Sequence, residues 1–153
     1  MLKSPRSEAE WRDYYELRWR ILRRPWQQPR GSERDAAENN AYHLMATDPD
    51  GQQILAVGRI HQLNAQQAQI RYMATSETSR GRGIGTQMLH ALEQQARHWG
   101  VATVVLNARE QAVPFYQRNG YRIISAAEML FGEIPHMRME KQLRRPTAAA
   151  PGT

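Results

Sequence analysis

The chain has 153 residues, no cysteine and a formal net charge of +6 at pH 7. This length suits one domain with a real core, and the lack of cysteine excludes disulfides, thiolate metal sites and cysteine nucleophiles. No apolar run approaches the ~20 residues of a membrane span, and the polar N-terminus has no signal-peptide segment, so we expect a cytoplasmic protein without a membrane partner.

The basic charge could serve nucleic acid, an anionic cofactor or only solubility. Part of it lies near the chain ends, and no nucleic-acid-binding signature accompanies it, so we do not expect a nucleic-acid partner. We expect a single domain over residues 1–145. The Pro-, Ala- and Gly-rich residues 146–153 are expected to form a disordered tail.

The first half of the chain predicts one helix followed by three strands. Ser7 can cap a helix over residues 7–22, and Pro25 and Pro29 end its apolar stripe. A polar loop over 27–40, with a short helix near 35–39, leads to strands over 42–47, 54–63 and 68–75. The turn at 48–51 makes the first two strands a hairpin.

The second half predicts βαβ units. A glycine- and arginine-rich loop over 76–85 opens into an amphipathic helix over 84–98, which Gly100 ends. The continuous apolar run 101–106 is typical of a strand buried on both faces. A short helix over 110–118, strands over 121–125 and 137–143, and a loop over 128–135 between them complete the chain. This order predicts an α/β (α+β) fold with a mixed sheet flanked by helices.

The loop over 80–86 carries the chemistry. Its glycines allow consecutive backbone N–H groups to point into one concavity, and the following helix adds its free N-terminal amides and its dipole. Such a site favours a phosphate or pyrophosphate, although a plain tight turn would have the same glycines. The residues concerned are Arg80, Gly81, Arg82, Gly83, Ile84, Gly85 and Thr86.

Other phosphate-binding motifs fit this loop poorly. Thr86 stands where a dinucleotide fingerprint has its third glycine, and the chain has no Gly-Lys-Ser/Thr. The chain is also too short for a protein kinase.

Two signatures together resemble the GCN5-related N-acetyltransferases (GNAT). Arg80-x-x-Gly83-x-Gly85, after a strand and at the head of a helix, is similar to the family's motif A. About twenty residues later, the segment from Asn107 to Tyr121 is similar to its second signature. The resemblance implies acetyl-CoA as co-substrate and a mostly antiparallel sheet. Its parallel pair, residues 68–75 and 101–106, should splay at the C-terminal ends.

A narrower similarity also appears. Residues 28–35 (QPRGSERD) and Ile134-Pro135-His136 resemble a subgroup of small bacterial acetyltransferases, some of them fused to a thioesterase-like domain. Two departures accompany the resemblance. Residues 75–79 (TSETS) replace the family's Val-Asp-Pro and aromatic, which should weaken packing under the loop. Arg109 occupies the family's usual asparagine position, with Asn107 two residues before it.

The resemblance implies roles for residues of the predicted site. It implies that backbone groups of Met73 and Thr75 pair with the pantetheine arm, that Ala74 also lies at the cofactor, and that the Met73 amide donates to the oxyanion. It also implies cofactor contacts from the glycine loop, Asn107 and Tyr116, and it makes Tyr116 the acid that protonates the departing thiolate. Tyr116 could instead be a half-buried aromatic of an amphipathic helix.

The general base is less clear from the sequence, because Gln69, Arg71 and Met73 offer no glutamate on the central strand. The candidates are Glu33, His43, His61 and His136. We prefer His136, which begins the last strand at the expected edge of the acceptor pocket. His90 and His98 do not make a metal site, and we expect no metal.

Two functions follow from these observations. The first is an N-acetyltransferase that carries the acetyl group of acetyl-CoA to a primary amine of a small molecule or peptide. The second is a non-catalytic acyl-CoA-binding module that senses the cofactor or docks to a partner domain. Either could be a homodimer, and the sequence does not name the acceptor.

Overall fold

A computed structural model describes residues 1–127, 129–131 and 134–143, and the tail expected over 146–153 lies outside these residues. Its seven-stranded sheet has the order β1-β2-β3-β4-β5-β7-β6. The parallel pair is β4–β5, and every other pair is antiparallel. The strands are β1 Leu2–Lys3, β2 Tyr42–Thr47, β3 Ile54–Gln62, β4 Gln67–Thr75, β5 Thr103–Arg109, β6 Arg122–Ala126 and β7 His136–Gln142.

Three α-helices flank the sheet: α1 Glu8–Leu22, α2 Ile84–Trp99 and α3 Val113–Arg118. Ser7 caps α1 in a capping box with Glu10, as its sequence predicts. Short 3₁₀ turns lie at Arg24–Trp26, Glu38–Asn40, Glu77–Ser79 and Glu110–Ala112. No helix of the described residues is long and apolar enough to cross a bilayer.

Helices α1 and α2 pack on opposite faces of the sheet. Met88, Leu89 and Leu92 of α2 are fully buried against alternate residues of the strands. Tyr14 and Leu17 of α1 pack on the other face in a smaller cluster. The core is thus divided between two layers, as the alternation of buried residues along each strand requires.

Strands β4 and β5 are paired only where they begin. Gln67, Ala68 and Gln69 pair with Thr103, Val104 and Val105, and beyond this point the two strands have no paired residues. The C-terminal halves therefore diverge while β5 continues to pair with β7 as far as Arg109. The predicted splayed parallel pair is confirmed.

A bulge distorts β4 just beyond the residues that pair with β5. Val57 pairs with Ala74 and Arg59 with Arg71, so Gly58 lies opposite two residues, Tyr72 and Met73. Tyr72 adopts a left-handed backbone with φ 60°, which is strained for a bulky side chain. Gly58 lies close to α2, because a Cβ at this position would be 3.0 Å from the side chains of Leu92 and Met88, which would have to move. Both features fix the shape of β4 beside the splay.

The predicted α/β fold is confirmed, with local differences. Strand β1 was not predicted, because two residues carry no recognisable alternation. The strand predicted over 101–106 runs instead as Thr103–Arg109, since pairing with β7 carries it past its apolar run. The helix predicted over 110–118 begins with a 3₁₀ turn before Pro114.

Candidate active site

The splay of β4 and β5 opens a cleft of about 350 Å³. Residues of β4, β5, the end of α1, α3 and the start of β7 line it. Met73, Asn107, Tyr116 and His136, which the sequence predicts as site residues, all line this one cleft. Four predicted residues from four separate elements therefore come together.

The glycine loop lies next to the C-terminal end of β4. Gly81 and Gly83 have φ angles of 81° and 78°, a conformation that favours glycine. Gly83 is the N-cap of α2, and no side chain caps this helix end. The first turn of α2 also contains no acidic residue. Its N-terminal amides and the exposed Arg80 and Arg82 thus suit an anion.

The segment under the loop contains two buried serines. Ser76 and Ser79 are buried, and the Ser76 hydroxyl donates to that of Ser79 at 2.7 Å. Glu77 between them is exposed and forms an ion pair with Arg20 of α1. These serines support the loop where the family has a proline and an aromatic, and the expected weaker packing stays a prediction.

Tyr116 presents its phenol to the splay from α3. Its oxygen lies 3.7 Å from the Met73 sulfur on β4, and its ring is in edge contact with Phe115 and Tyr121. Burial raises the pKa of Tyr116 to about 12. The phenol is therefore protonated at neutral pH and can donate a proton.

His136 lies at the other side of the same cleft. Its Nδ1 is 2.9 Å from the Ile134 carbonyl oxygen, which can only accept, so Nδ1 carries the proton and Nε2 keeps its lone pair in the neutral ring. Burial lowers the pKa of His136, and the cationic Arg109, Arg23 and Arg71 lower it further. The hydrogen bond to the Ile134 carbonyl raises this pKa but does not offset them. A neutral imidazole with a free Nε2 is suited to accept a proton.

The other base candidates do not line the cleft. Both ring nitrogens of His43 are engaged, by the Tyr14 hydroxyl at 2.9 Å and the Glu38 carbonyl at 2.8 Å. His61 lies 3.3 Å from an Arg59 nitrogen. Glu33 is buried and accepts from the Gly31 amide. His136 is thus the candidate that reaches the site.

A buried ionic network borders the cleft and was not predicted. The fully buried Arg59 pairs with Asp35 at 2.6 Å and with Glu38 at 2.7 Å. Arg71 pairs with the other oxygen of Asp35, and Arg18 with Glu38. Burial would raise the pKa of Asp35, but the hydrogen bond and charge of Arg59 hold it well below its usual value. Charged residues spaced along a loop and two strands give no sequence signal of such a network.

Among the described residues, no three His, Cys, Asp or Glu side chains are grouped so as to hold a metal ion. The groups of the cleft with acid–base or charge chemistry include the Tyr116 phenol, the His136 imidazole and several arginines, beside backbone amides. These groups can bind an anion, donate a proton and accept one.

Comparison with known proteins agrees with this geometry. The profile of the Acetyltransferase (GNAT) family matches residues 11–121, which is most of the chain. The chain belongs to the GNAT family. This GNAT chain is 30% identical over 136 residues to the uncharacterized N-acetyltransferase YjcF of Bacillus subtilis (strain 168), covering 89% of this chain and 95% of YjcF.

Solved structures share the GNAT fold. An aminoglycoside 6'-N-acetyltransferase complexed with coenzyme A superposes with a TM-score of 0.79 at 16% identity, covering 95% of this chain and 99% of that one. An acyl-CoA N-acyltransferase from Pseudomonas aeruginosa gives 0.74 at 26% identity, covering 92% of this chain and 97% of that one. The fold expected from the two signatures is thus confirmed.

Proposed function

We propose that this GNAT protein transfers the acetyl group of acetyl-CoA to a primary amine by direct attack. The observation that carries the proposal is the phenol of Tyr116 in the β4–β5 splay, 3.7 Å from the Met73 sulfur. Family membership, the N-acetyltransferase name of YjcF and the coenzyme A complex of a structural neighbour support it.

The cofactor would lie along the unpaired half of β4. Beyond Gln69 of β4 lies a gap that β5 does not fill, so an extended pantetheine arm can pair there with backbone groups of Met73 and Thr75 as an added strand, with Ala74 between them. The loop over 80–86 and the first amides of α2 would hold the pyrophosphate. Asn107, exposed in the diverging part of β5, is in reach of the same gap.

The chemistry follows from the protonation states. His136 would accept the proton of the attacking amine at Nε2, and Tyr116 would give its proton to the departing thiolate. The Met73 amide would donate to the oxygen that gains charge during attack. A protonated phenol and a neutral imidazole at neutral pH are the states these roles require.

The acceptor in this proposal is a small-molecule or peptide amine, and the location is the cytoplasm. A non-catalytic acyl-CoA-binding module is not favoured, because the relatives carry acetyltransferase names. A homodimer, a single domain over 1–145 and the absence of a nucleic-acid partner stay predictions.

The test is Tyr116→Phe, assayed by thiol release from acetyl-CoA across a panel of amines. We expect kcat to fall by about 10²- to 10⁴-fold, with the low end favoured because a thiol is already a tolerable leaving group. Acetyl-CoA affinity should hold, since the ring and its packing are kept.

Tyr42→Phe is the matched control, because Tyr42 packs at the core away from the cleft. Its activity should equal that of the wild type. Full activity in Tyr116→Phe would reject the acid role. A wild type that binds acetyl-CoA but releases no thiol with any amine would reject the proposed function.

A further inference from the structure

Three arginines from separate elements converge on the acceptor side of the cleft. Arg23 follows the end of α1, Arg71 lies in β4 beside the bulge, and Arg109 ends β5. All three line the cleft together with His136. Each is close enough to lower the pKa of that histidine. Among the described residues, the part of the cleft that would hold the acceptor amine therefore carries several positive charges.

The positive charge of two of these arginines is not balanced within the described residues. Arg23 donates to the backbone carbonyls of Ser32 and Leu22, and Arg109 donates to that of Leu22. Carbonyls fix the direction of a guanidinium without neutralising it. No described carboxylate lies within 4.0 Å of either side chain. Burial lowers the pKa of Arg109, and Arg23 lowers it further, which shows how closely the charges are placed.

Nearby carboxylates are already engaged. Asp35 is shared by Arg59 and Arg71, and Glu38 by Arg18 and Arg59. These two carboxylates carry two negative charges and face three arginines, Arg18, Arg59 and Arg71. One positive charge of this network is therefore left without a full counter-charge. Among the described residues, the cleft therefore has an excess of positive charge that a bound anion would relieve.

The strained Tyr72 packs against two of these cleft arginines and two arginines of the ionic network. Its ring centroid lies 4.5 Å from the guanidinium carbon of Arg18, 4.6 Å from that of Arg71 and 4.9 Å from that of Arg59. Arg23 approaches the same ring at 5.5 Å. An aromatic face attracts cations, so the left-handed backbone of Tyr72 has a consequence: it places an anchor for four arginines beside the acceptor.

We propose that the acceptor amine carries a carboxylate near its amino group, and that Arg23, Arg71 and Arg109 bind this carboxylate. The inference rests on the proposed acetyl transfer and adds the substrate class. Guanidinium groups bind carboxylates through charge-assisted, often paired hydrogen bonds, which would fix the amine beside His136. The acceptor is thus of the free amino-acid type.

The cationic cluster has two chemical effects on such an acceptor. Neighbouring positive charge lowers the pKa of the amine, so more of it is present as the neutral nucleophile. The same charge repels polyamines and aminoglycosides, which carry several ammonium groups. One cluster therefore both selects the acceptor and prepares it for attack.

The experiment compares, for wild-type protein, amino acids with their carboxamides and with the corresponding amines that lack the carboxylate. We expect kcat/KM for the carboxylate form to exceed that of its carboxamide by at least about tenfold. The ratio should fall toward one in Arg109→Gln and in Arg71→Gln. Arg122→Gln removes an exposed charge from β6, outside the cleft, and should keep the wild-type ratio.

The ratio of the two kcat/KM values is the readout, because a merely structural role of these arginines would lower kcat/KM equally for the carboxylate and the carboxamide. Melting temperature and acetyl-CoA affinity of each variant show that it is folded. Equal kcat/KM for carboxylate and carboxamide in the wild type, or a preference for polyamines, overturns the inference and leaves the acetyl transfer standing. A preference that survives in both cleft variants overturns the assignment to these arginines. No acetylation of any amine by protein that binds acetyl-CoA overturns both proposals.

Discussion

Replacing Gly85 by alanine separates folding from cofactor binding. Gly85 lies in the first turn of α2 with no left-handed φ angle, and an added Cβ would meet Phe115 Cζ at 3.5 Å, an ordinary contact. Alanine is favoured over glycine in a helix by roughly 0.5–1 kcal/mol. For a chain of this length, Gly85→Ala should therefore raise the melting temperature by about 1–4 °C.

The same methyl group should weaken the binding of acetyl-CoA. It would lie between the start of α2 and the end of β4, since Thr75 Oγ1 is 3.9 Å from it. This is the space that the proposal gives to the pyrophosphate and the adjoining pantetheine. We expect at least about tenfold weaker acetyl-CoA binding, equivalent to about 1.4 kcal/mol, measured by calorimetry, and no binding by Gly85→Val.

Two further glycines provide the comparison. Gly83 has φ 78°, so Gly83→Ala forces a side chain into the left-handed region at a cost of roughly 1–2 kcal/mol and should lose both stability and affinity. Gly51, at φ 72° in the β2–β3 turn, carries the same strain away from the loop, and Gly51→Ala should lose stability alone. A stable Gly85→Val that binds acetyl-CoA as the wild type does would refute the site.

Two predictions concern other residues of the site. Because the pKa of His136 is lowered, the apparent pKa of the acidic limb in the pH profile of kcat/KM should lie below the usual histidine value of about 6.5. His136→Gln should lower kcat and abolish that limb, and an unchanged pH profile would exclude the base role. Asp35→Asn leaves the fully buried Arg59 with Glu38 alone and should lower the free energy of unfolding, measured in urea, by about 3 kcal/mol. Asp50→Asn in the exposed turn is the control and should change it by less than about 0.5 kcal/mol. Equal effects of the two variants would contradict the network.

The elements with regular hydrophobic patterns were predictable from the sequence. Strand Tyr42–Thr47 has the predicted bounds, and α2 ends at Trp99 with Gly100 as its left-handed cap. Local pattern and capping chemistry decide such elements. The splay of β4 and β5 came instead from the family resemblance, since nothing in either strand's own sequence prevents full pairing.

The acceptor side of the site could not be predicted. Arg23, Arg71 and Arg109 lie far apart in the sequence, and only the fold brings them together. The bulge at Tyr72 lies in a strand of ordinary alternation, opposite Gly58, which lies close to α2. Tertiary contacts of this kind leave no local signal, so the sequence indicated the glycine loop, Tyr116 and His136 as candidates but not the charge of the pocket.

The most direct test of acetyl transfer measures both products of one reaction. Wild-type protein is incubated with acetyl-CoA and a panel of amines, free thiol is titrated, and acetylated amine is quantified by mass spectrometry. We predict equal amounts of thiol and acetylated amine, both formed about 10²- to 10⁴-fold more slowly by Tyr116→Phe. Thiol release without acetylated amine, or bound acetyl-CoA that stays intact with every amine, would contradict the proposed N-acetyltransferase activity.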